Sequence, residues 1–270
     1  VHQLVLPEMP SSAESMRIHG ILPKDLANAQ PFSAAGRTLR LALAGRFMLA
    51  WFAGVEIGSV YESAARLEVG GDVFDYTVLP DGRLAVVVGD VTGKGIDAAA
   101  DMAMTKFVFR SLAREHPEPS DLMRIANQVV LDEVEEGKFV TMLYLTVDPA
   151  TGEVVCSGAG HPEPRIVRPD GSVEELEARG LALGIAPDQQ YPEARTTLEP
   201  GASVVLYTDG VVESRVDGEL YGKVRLDRLL GEQRELRAQQ LARAVVEDSR
   251  AFAGGGLADD SAVVVVKKTP

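Results

Sequence analysis

Three runs of this chain, LAVVV (Leu84–Val88), SVVLY (Ser203–Tyr207) and AVVVV (Ala262–Val266), are apolar at almost every position. A strand that alternates can leave one face in water; a strand with no polar face needs cover on both sides. The segments around these runs are joined mostly by short turns, such as PDGR between Leu79 and Leu84, Pro149–Gly152, and PDGS. Short turns join antiparallel neighbours, because a parallel crossover needs a dozen residues or more. The pattern therefore predicts two mainly antiparallel sheets packed face to face, with helices on the outside.

From residue 53 the pattern is regular. VEIGSVYES and DVFDYTVL read as strands that precede Leu84–Val88. A helix is predicted from Asp97 to about Arg114, where Ala100, Met104, Phe107, Val108 and Leu112 recur at helical spacing. A second is predicted after Pro119, with Ser120 as N-cap, running to Glu136. FVTMLYLTVD, EVVCSGAG, PRIVR and VEELE follow as strands, and SVVLYT after them. Helices near 223–231 and 238–252 lead to the final strand. Residues 1–52 read differently and are taken as an N-terminal arm, with a main domain over 53–270. Within the arm, TLRLALAGRFMLAWF fits either two short strands around Ala44–Gly45 or an apolar helix. It is either a packing arm or a linker and homodimer contact to an upstream sensor region.

The chain has 270 residues, 46% hydrophobic, enough for a sizeable core. Asp and Glu total 40 against 27 Lys and Arg, a net charge of −13, which argues against nucleic acid or an anionic membrane as partner. One cysteine, Cys156, allows no intrachain disulfide and reads as a small buried side chain in a reducing, cytoplasmic setting. The apolar tract Leu39–Val55 contains Arg46 and is too short to span a bilayer securely, so no membrane contact is expected within the chain. The chain begins at Val1 and not Met, which leaves an upstream region open.

Aspartates flank the apolar runs. Asp90 follows one, Asp209 (LYTDGV) follows another, and Asp259 and Asp260 (ADDSAVVVV) precede the third. Asp72, beside Gly70 and Gly71, is a further candidate. If the last strand runs antiparallel to the other two, these carboxylates meet at one sheet edge. Gathered like charges are tolerable around a divalent cation, and an all-oxygen donor set suits Mg²⁺ or Mn²⁺. Any one of them alone reads more readily as an ordinary turn residue at a strand end.

The segment VVVGDVTGKGIDAAA also suggests a phosphate loop, but the spacing is wrong. Three residues, not four, separate Gly89 from Gly93, and no Ser or Thr follows Lys94. Asp90 would also oppose a phosphate held by backbone amides. Lys94 is left facing solvent or substrate. His161 (GAGHP) has no serine or cysteine partner, and four widely spaced histidines make no zinc pattern. It fits a loop-ordering role or a general acid.

Seven segments occur in order: EVGGDVFDY, VVVGDVTGKGIDAAADMA, FVTMLYLTVDPATGEV, SGAGHPEPRIV, GLALGI, LEPGASVVLYTDGVVES and DDSAVVVV. Together they resemble the bacterial SpoIIE/RsbU-type metal-dependent protein serine/threonine phosphatases, a branch of the type 2C superfamily, over about residues 53–268. The resemblance implies an α+β fold, a four-layer α-β-β-α sandwich of two mainly antiparallel sheets flanked by helices. It implies two Mn²⁺ or Mg²⁺ ions, with Asp90 bridging them and the Val91 backbone carbonyl on one. Asp72 then serves the second ion directly or through water, Asp209 and Asp259 complete the set, and Asp260 stands behind the ligands or replaces one.

The implied reaction is attack of a metal-bridging hydroxide on phosphoserine or phosphothreonine, with the leaving oxygen protonated by water or by His161. The implied substrate is a phosphorylated anti-sigma-factor antagonist domain in a stress or developmental pathway. The chain departs from the family pattern at Ser261–Ala262, where a Thr is usual at the second position, and at Val73, where an aromatic is usual. These departures carry the alternative, a catalytically weak or inactive phosphatase-fold regulatory module.

Overall fold

The computed structural model describes residues 5–6, 30–31, 50–52, 54–63, 71–92, 96–134, 137–256 and 259–269, with side chains from residue 54 onward except over 96–104. The chain divides into units over Val1–Met48 and Leu49–Pro270. In the first, β1 (Val5–Leu6) pairs in parallel with β2 (Gln30–Pro31). The expectations for the stretch around Ala44–Gly45, for Gly70, for Gly93 and Lys94, and for the side chains of Ala100 and Met104 lie outside the described residues.

From residue 50 the strands are β3 (Ala50–Phe52), β4 (Val55–Glu62), β5 (Asp72–Val78), β6 (Leu84–Val91), β7 (Val140–Val147), β8 (Glu153–Ala159), β9 (Arg165–Val167), β10 (Val173–Glu175), β11 (Glu193–Thr197), β12 (Ser203–Tyr207), β13 (Arg215–Val216), β14 (Glu219–Leu220) and β15 (Ser261–Lys268). Helices α1 (Ile96–Glu115) and α2 (Pro119–Glu133) follow β6, the short α3 (Asp209–Val212) follows β12, and α4 (Gly222–Glu232) and α5 (Ala238–Phe252) precede β15. One sheet has the order β10-β9-β12-β15-β4-β3 and the other β11-β8-β7-β6-β5. Every neighbouring pair in both is antiparallel.

Register explains the apolar runs. Successive strand residues point to opposite faces. In β6, Leu84, Val86 and Val88 enter the core between the sheets, with Val204 and Leu206 of β12 and Val264 and Val266 of β15. Ala85 and Val87 face the other way, into a second core with Phe109 of α1 and Leu122, Met123, Ala126 and Val130 of α2. Helices α4 and α5 cover the outer face of the six-stranded sheet, against β9, β10, β4 and β15. Gln239 of α5 clamps β4 there, donating to the Ser59 carbonyl at 3.0 Å and accepting its amide at 3.2 Å. The layers run helix, sheet, sheet, helix, as expected. Cys156 lies buried in the intersheet core, and burial pushes its thiol up to about 12.

Some expectations need correction. Ser120 does not cap α2. Glu118 holds the extended N-cap position and Pro119 fills the first turn, where a missing N–H leaves nothing unpaired. The Ser120 amide donates instead to Glu193 Oε1 at 3.2 Å. The helix ends at Glu133, because Val134 turns extended. Strands β11, β13 and β14 were not anticipated. β11 (EARTT) lies at a sheet edge and lacks the apolar alternation that marks a buried strand. No described helix is long and apolar enough to cross a membrane.

Candidate metal centre

The face that fills the intersheet core continues past the strand ends. In β6 the next residue of the same parity after Val88 is Asp90; after Leu206 of β12 it is Thr208; before Val264 in β15, two and four residues back, come Ala262 and Asp260; and after Ile57 in β4, two and four residues on, come Ser59 and Tyr61. Asp90, Thr208, Asp260 and Tyr61 belong to one end of the sandwich. This corrects the single sheet edge expected from sequence: Asp72 and Asp90 come from the five-stranded sheet, whereas Asp209, Asp259 and Asp260 flank strands of the six-stranded one.

Asp72 opens β5 and sits directly across from Asp90. The Val91 amide donates to the Gly71 carbonyl at 3.2 Å and holds the two strands together at their ends. A Cβ on Gly71 would lie 2.4 Å from the Val91 carbonyl oxygen and 2.5 Å from Asp90 Oδ1. Only glycine leaves that space open, and two oxygens line it.

On the opposing sheet, the Thr208 amide donates to the Ala262 carbonyl at 3.0 Å. Its hydroxyl accepts the Ala262 amide at 2.9 Å and donates to Asp72 Oδ2 at 2.6 Å, so one buried threonine joins the two sheets. Asp209 begins α3. That helix approaches β15 so closely that a Cβ on Gly210 would stand 1.9 Å from the Asp260 carbonyl oxygen. Asp259 is exposed, Asp260 is 8% exposed, and the Asp260 amide donates to Asp259 Oδ1 at 3.0 Å. Thr208 and Tyr61 were missed by the sequence reasoning. Strand parity carried past each apolar run would have flagged both.

The electrostatics record the convergence. Burial, with the charges of Asp90, Asp209 and Asp260, pushes the Asp72 carboxyl up to about 8 against the Thr208 hydrogen bond. Burial, then Asp209, Asp259 and Asp260, raises Asp90 to about 6. Asp209 is raised by burial, Glu213 and Asp259. Tyr61, hydrogen-bonded to Asp260, is pushed up to about 12 by burial and by Asp260 and Asp72. Burial is the largest cause in all four, and neighbouring carboxylates add to it.

The donors fit a hard divalent ion. They are all oxygen, and the space beside Gly71 is lined by a carboxylate and a carbonyl. The buried Ser261 hydroxyl, next to Asp260, has no hydrogen-bond partner among the described residues. Among the described residues, no three His, Cys, Asp or Glu side chains are gathered tightly enough to hold an ion by themselves. Carbonyl, hydroxyl and water oxygens would have to share the coordination.

A pH dependence follows. Asp72 and Asp90 have ordinary values near 3.8 and hold their protons to higher pH when folded. The folded chain therefore binds more protons than the unfolded chain between about pH 4 and pH 8, and stability falls as pH rises through that window. In EDTA, the melting temperature should be roughly 5 °C or more higher at pH 5 than at pH 8. Scanning fluorimetry of Asp72→Asn should show most of that difference gone. An unchanged slope would assign it to the overall charge of −13 instead.

His161 stands behind the cluster. Its Nδ1 lies 3.0 Å from Thr141 Oγ1, and Thr141 pairs with Asp90 across β6 and β7. Burial lowers the imidazole to about 4, against the Tyr207 backbone and Glu163. It is not among the charges that shift Asp72, Asp90 or Asp209.

Comparison with known proteins fits this geometry. The family model for Stage II sporulation protein E (SpoIIE) matches residues 80–269. Phosphoserine phosphatase RsbU of Bacillus subtilis is 30% identical over 216 residues, 79% of this chain and 63% of that protein. The chain spans less than two thirds of the length of the curated relatives it matches. A crystal structure of the RsbU and RsbW domains of a Mycobacterium tuberculosis protein has a TM-score of 0.72 at 28% identity, over 80% of this chain and 60% of that one. RsbX in complex with magnesium has a TM-score of 0.63 at 16% identity, over 83% of this chain and 100% of that one. Two antiparallel sheets between helix layers, with acids from both sheets at one end, make this a type 2C phosphatase fold. Within that class, the chain belongs to the SpoIIE family.

Proposed function

We propose that this chain is a protein phosphatase that hydrolyses phosphoserine or phosphothreonine with two bound Mn²⁺ or Mg²⁺ ions. The observation that carries the reading is the meeting of Asp72 and Asp90 from one sheet with Asp209, Asp259 and Asp260 from the other. The name of RsbU, a phosphoserine phosphatase, supports the activity, and the magnesium complex of RsbX supports the ion.

Asp90 is coupled to Asp72 on its own sheet and to Asp209, Asp259 and Asp260 of the other, and would be a central residue in holding the ions. The Val91 carbonyl, beside Asp90 Oδ1, supplies a neutral oxygen. Asp72, Asp209 and Asp259 would complete the donors, and Asp260, hydrogen-bonded to Tyr61, would stand behind the ligands or replace one. When bound, such ions bring the pKa of a coordinated water towards neutrality and offset charge on the phosphoryl oxygens.

Burial lowers the His161 imidazole to about 4, which disfavours the imidazolium that a general acid near neutral pH needs; through Nδ1 it contacts Thr141, the strand partner of Asp90. The leaving oxygen then takes its proton from water. His161→Asn, which can retain a bond to Thr141, should lower kcat less than about 10-fold and leave the pH–rate profile unchanged. Loss of a limb of that profile would restore the general-acid role.

The substrate class we favour is a small phosphorylated anti-sigma-factor antagonist domain. The test is phosphate release from such domains and from an aryl phosphate, with Mn²⁺, with Mg²⁺ and with EDTA. Metal-dependent release supports the reading, and EDTA-resistant turnover rejects it. Tight metal binding without turnover would instead make the chain a regulatory module.

A further inference from the structure

Thr208 occupies the N-cap of α3, where a threonine hydroxyl ordinarily accepts one of the helix's free amides. Here it makes no such cap. Its Oγ1 instead accepts the Ala262 amide at 2.9 Å and stands 2.6 Å from Asp72 Oδ2. The amide supplies its own hydrogen to the first bond. The single hydroxyl proton therefore goes to Asp72 Oδ2. Thr208 is 0% exposed, so water does not compete for that proton.

The consequence is a carboxylate with unequal oxygens. Oδ2 is engaged by Thr208, and Oδ1 has no hydrogen-bond donor among the described residues. Mg²⁺ takes six oxygens at ~2.0–2.1 Å in a near-ideal octahedron, which one oxygen per carboxylate suits. Ca²⁺ takes six to eight at ~2.3–2.6 Å and gains from a carboxylate that offers both.

We infer that Thr208 is a positioning residue that makes Asp72 a one-oxygen donor and so sets the preference of the site for Mg²⁺ or Mn²⁺ over Ca²⁺. This rests on the metal reading proposed above. Its geometric basis is the bridge itself: the hydroxyl that links the sheets is the one that occupies the second oxygen of Asp72.

The experiment is calorimetric titration of the full chain with Mn²⁺ and, separately, with Ca²⁺. Thr208→Val keeps the shape and removes the hydroxyl, whereas Thr208→Ser keeps the hydroxyl. The Mn²⁺/Ca²⁺ affinity ratio should fall ~10-fold or more in Thr208→Val and stay within about threefold of the original in Thr208→Ser. A structural role alone would weaken both ions together and leave the ratio unmoved, which would overturn the inference. If Thr208→Val does not fold, Thr208→Cys, with a weak S–H donor, should lower the ratio in the same direction, and an unchanged ratio overturns the inference there too. Failure of the unsubstituted chain to bind either ion would overturn the metal reading and this inference with it. Mn²⁺ binding with an unmoved ratio in the variants would overturn this inference alone.

Discussion

Asp90→Asn is expected to reduce metal-dependent phosphate release by at least ~100-fold while leaving the chain folded. Asp90 faces Asp72 across β5 and β6 and feels Asp209, Asp259 and Asp260 from the other sheet. Asp90 Oδ1 also lines, with the Val91 carbonyl oxygen, the space beside Gly71. The same substitution should stabilise the metal-free protein. At pH 7.5 the Asp90 carboxyl, raised to about 6, is ionised among like charges. Removing that charge should add on the order of 1–2 kcal/mol, after allowance for screening at a partly exposed group. Lost activity with gained stability is the signature of a functional site rather than a structural one. Chemical denaturation in EDTA and phosphate release in Mn²⁺ check the two halves. Turnover within threefold of the unsubstituted chain would remove Asp90 from the centre of the site.

Gly210→Ala should damage both stability and activity. The added Cβ would fall 1.9 Å from the Asp260 carbonyl oxygen, a backbone atom with no rotamer to escape into. Either α3, which begins at Asp209, or the entry to β15 must move. We expect a loss of about 2–3 kcal/mol. Because each segment carries an aspartate of the site, a shift approaching 1 Å should also cost ~100-fold in rate. Gly256→Ala is the control, since a Cβ there meets nothing within 4 Å. Urea titration and phosphate release on both variants give the comparison; equal behaviour would mean that α3 yields without consequence.

Much of this fold was legible because burial on two faces leaves a mark in composition. The runs at Leu84–Val88, Ser203–Tyr207 and Ala262–Val266 needed two covered faces, and register supplies them. The aspartates could be seen at strand ends, but not the sheet to which each strand belonged. β15 lies between β12 and β4, neighbours far away in sequence, and no local pattern encodes that pairing. Thr208 escaped notice for a different reason. In LYTDG a threonine before Asp-Gly looks like an ordinary cap, and only the tertiary contact diverts its hydroxyl to Asp72. The Ser261–Ala262 departure also reads differently in three dimensions. The Ala262 amide is bound by Thr208, while the Ser261 hydroxyl is buried without a partner among the described residues. Ser120 shows the limit of propensity: proline one residue earlier already fits the first turn of α2.

The position of β15 bears on how the protein is made. It is the last strand in sequence, yet it occupies the interior of the six-stranded sheet, with β12 on one side and β4 on the other. A ribosome that has released residues 1–250 has delivered Asp72, Asp90 and Asp209, but not the strand that joins the two flanks or the acids at its entrance. Until it arrives, β4 and β12 each have one edge open, β4 paired with β3 and β12 with β9, and long-range pairing of this kind is slow to form. A chain stopped before β15 would carry Asp72, Asp90 and Asp209 without the strand that joins β12 to β4 and without Asp259 and Asp260.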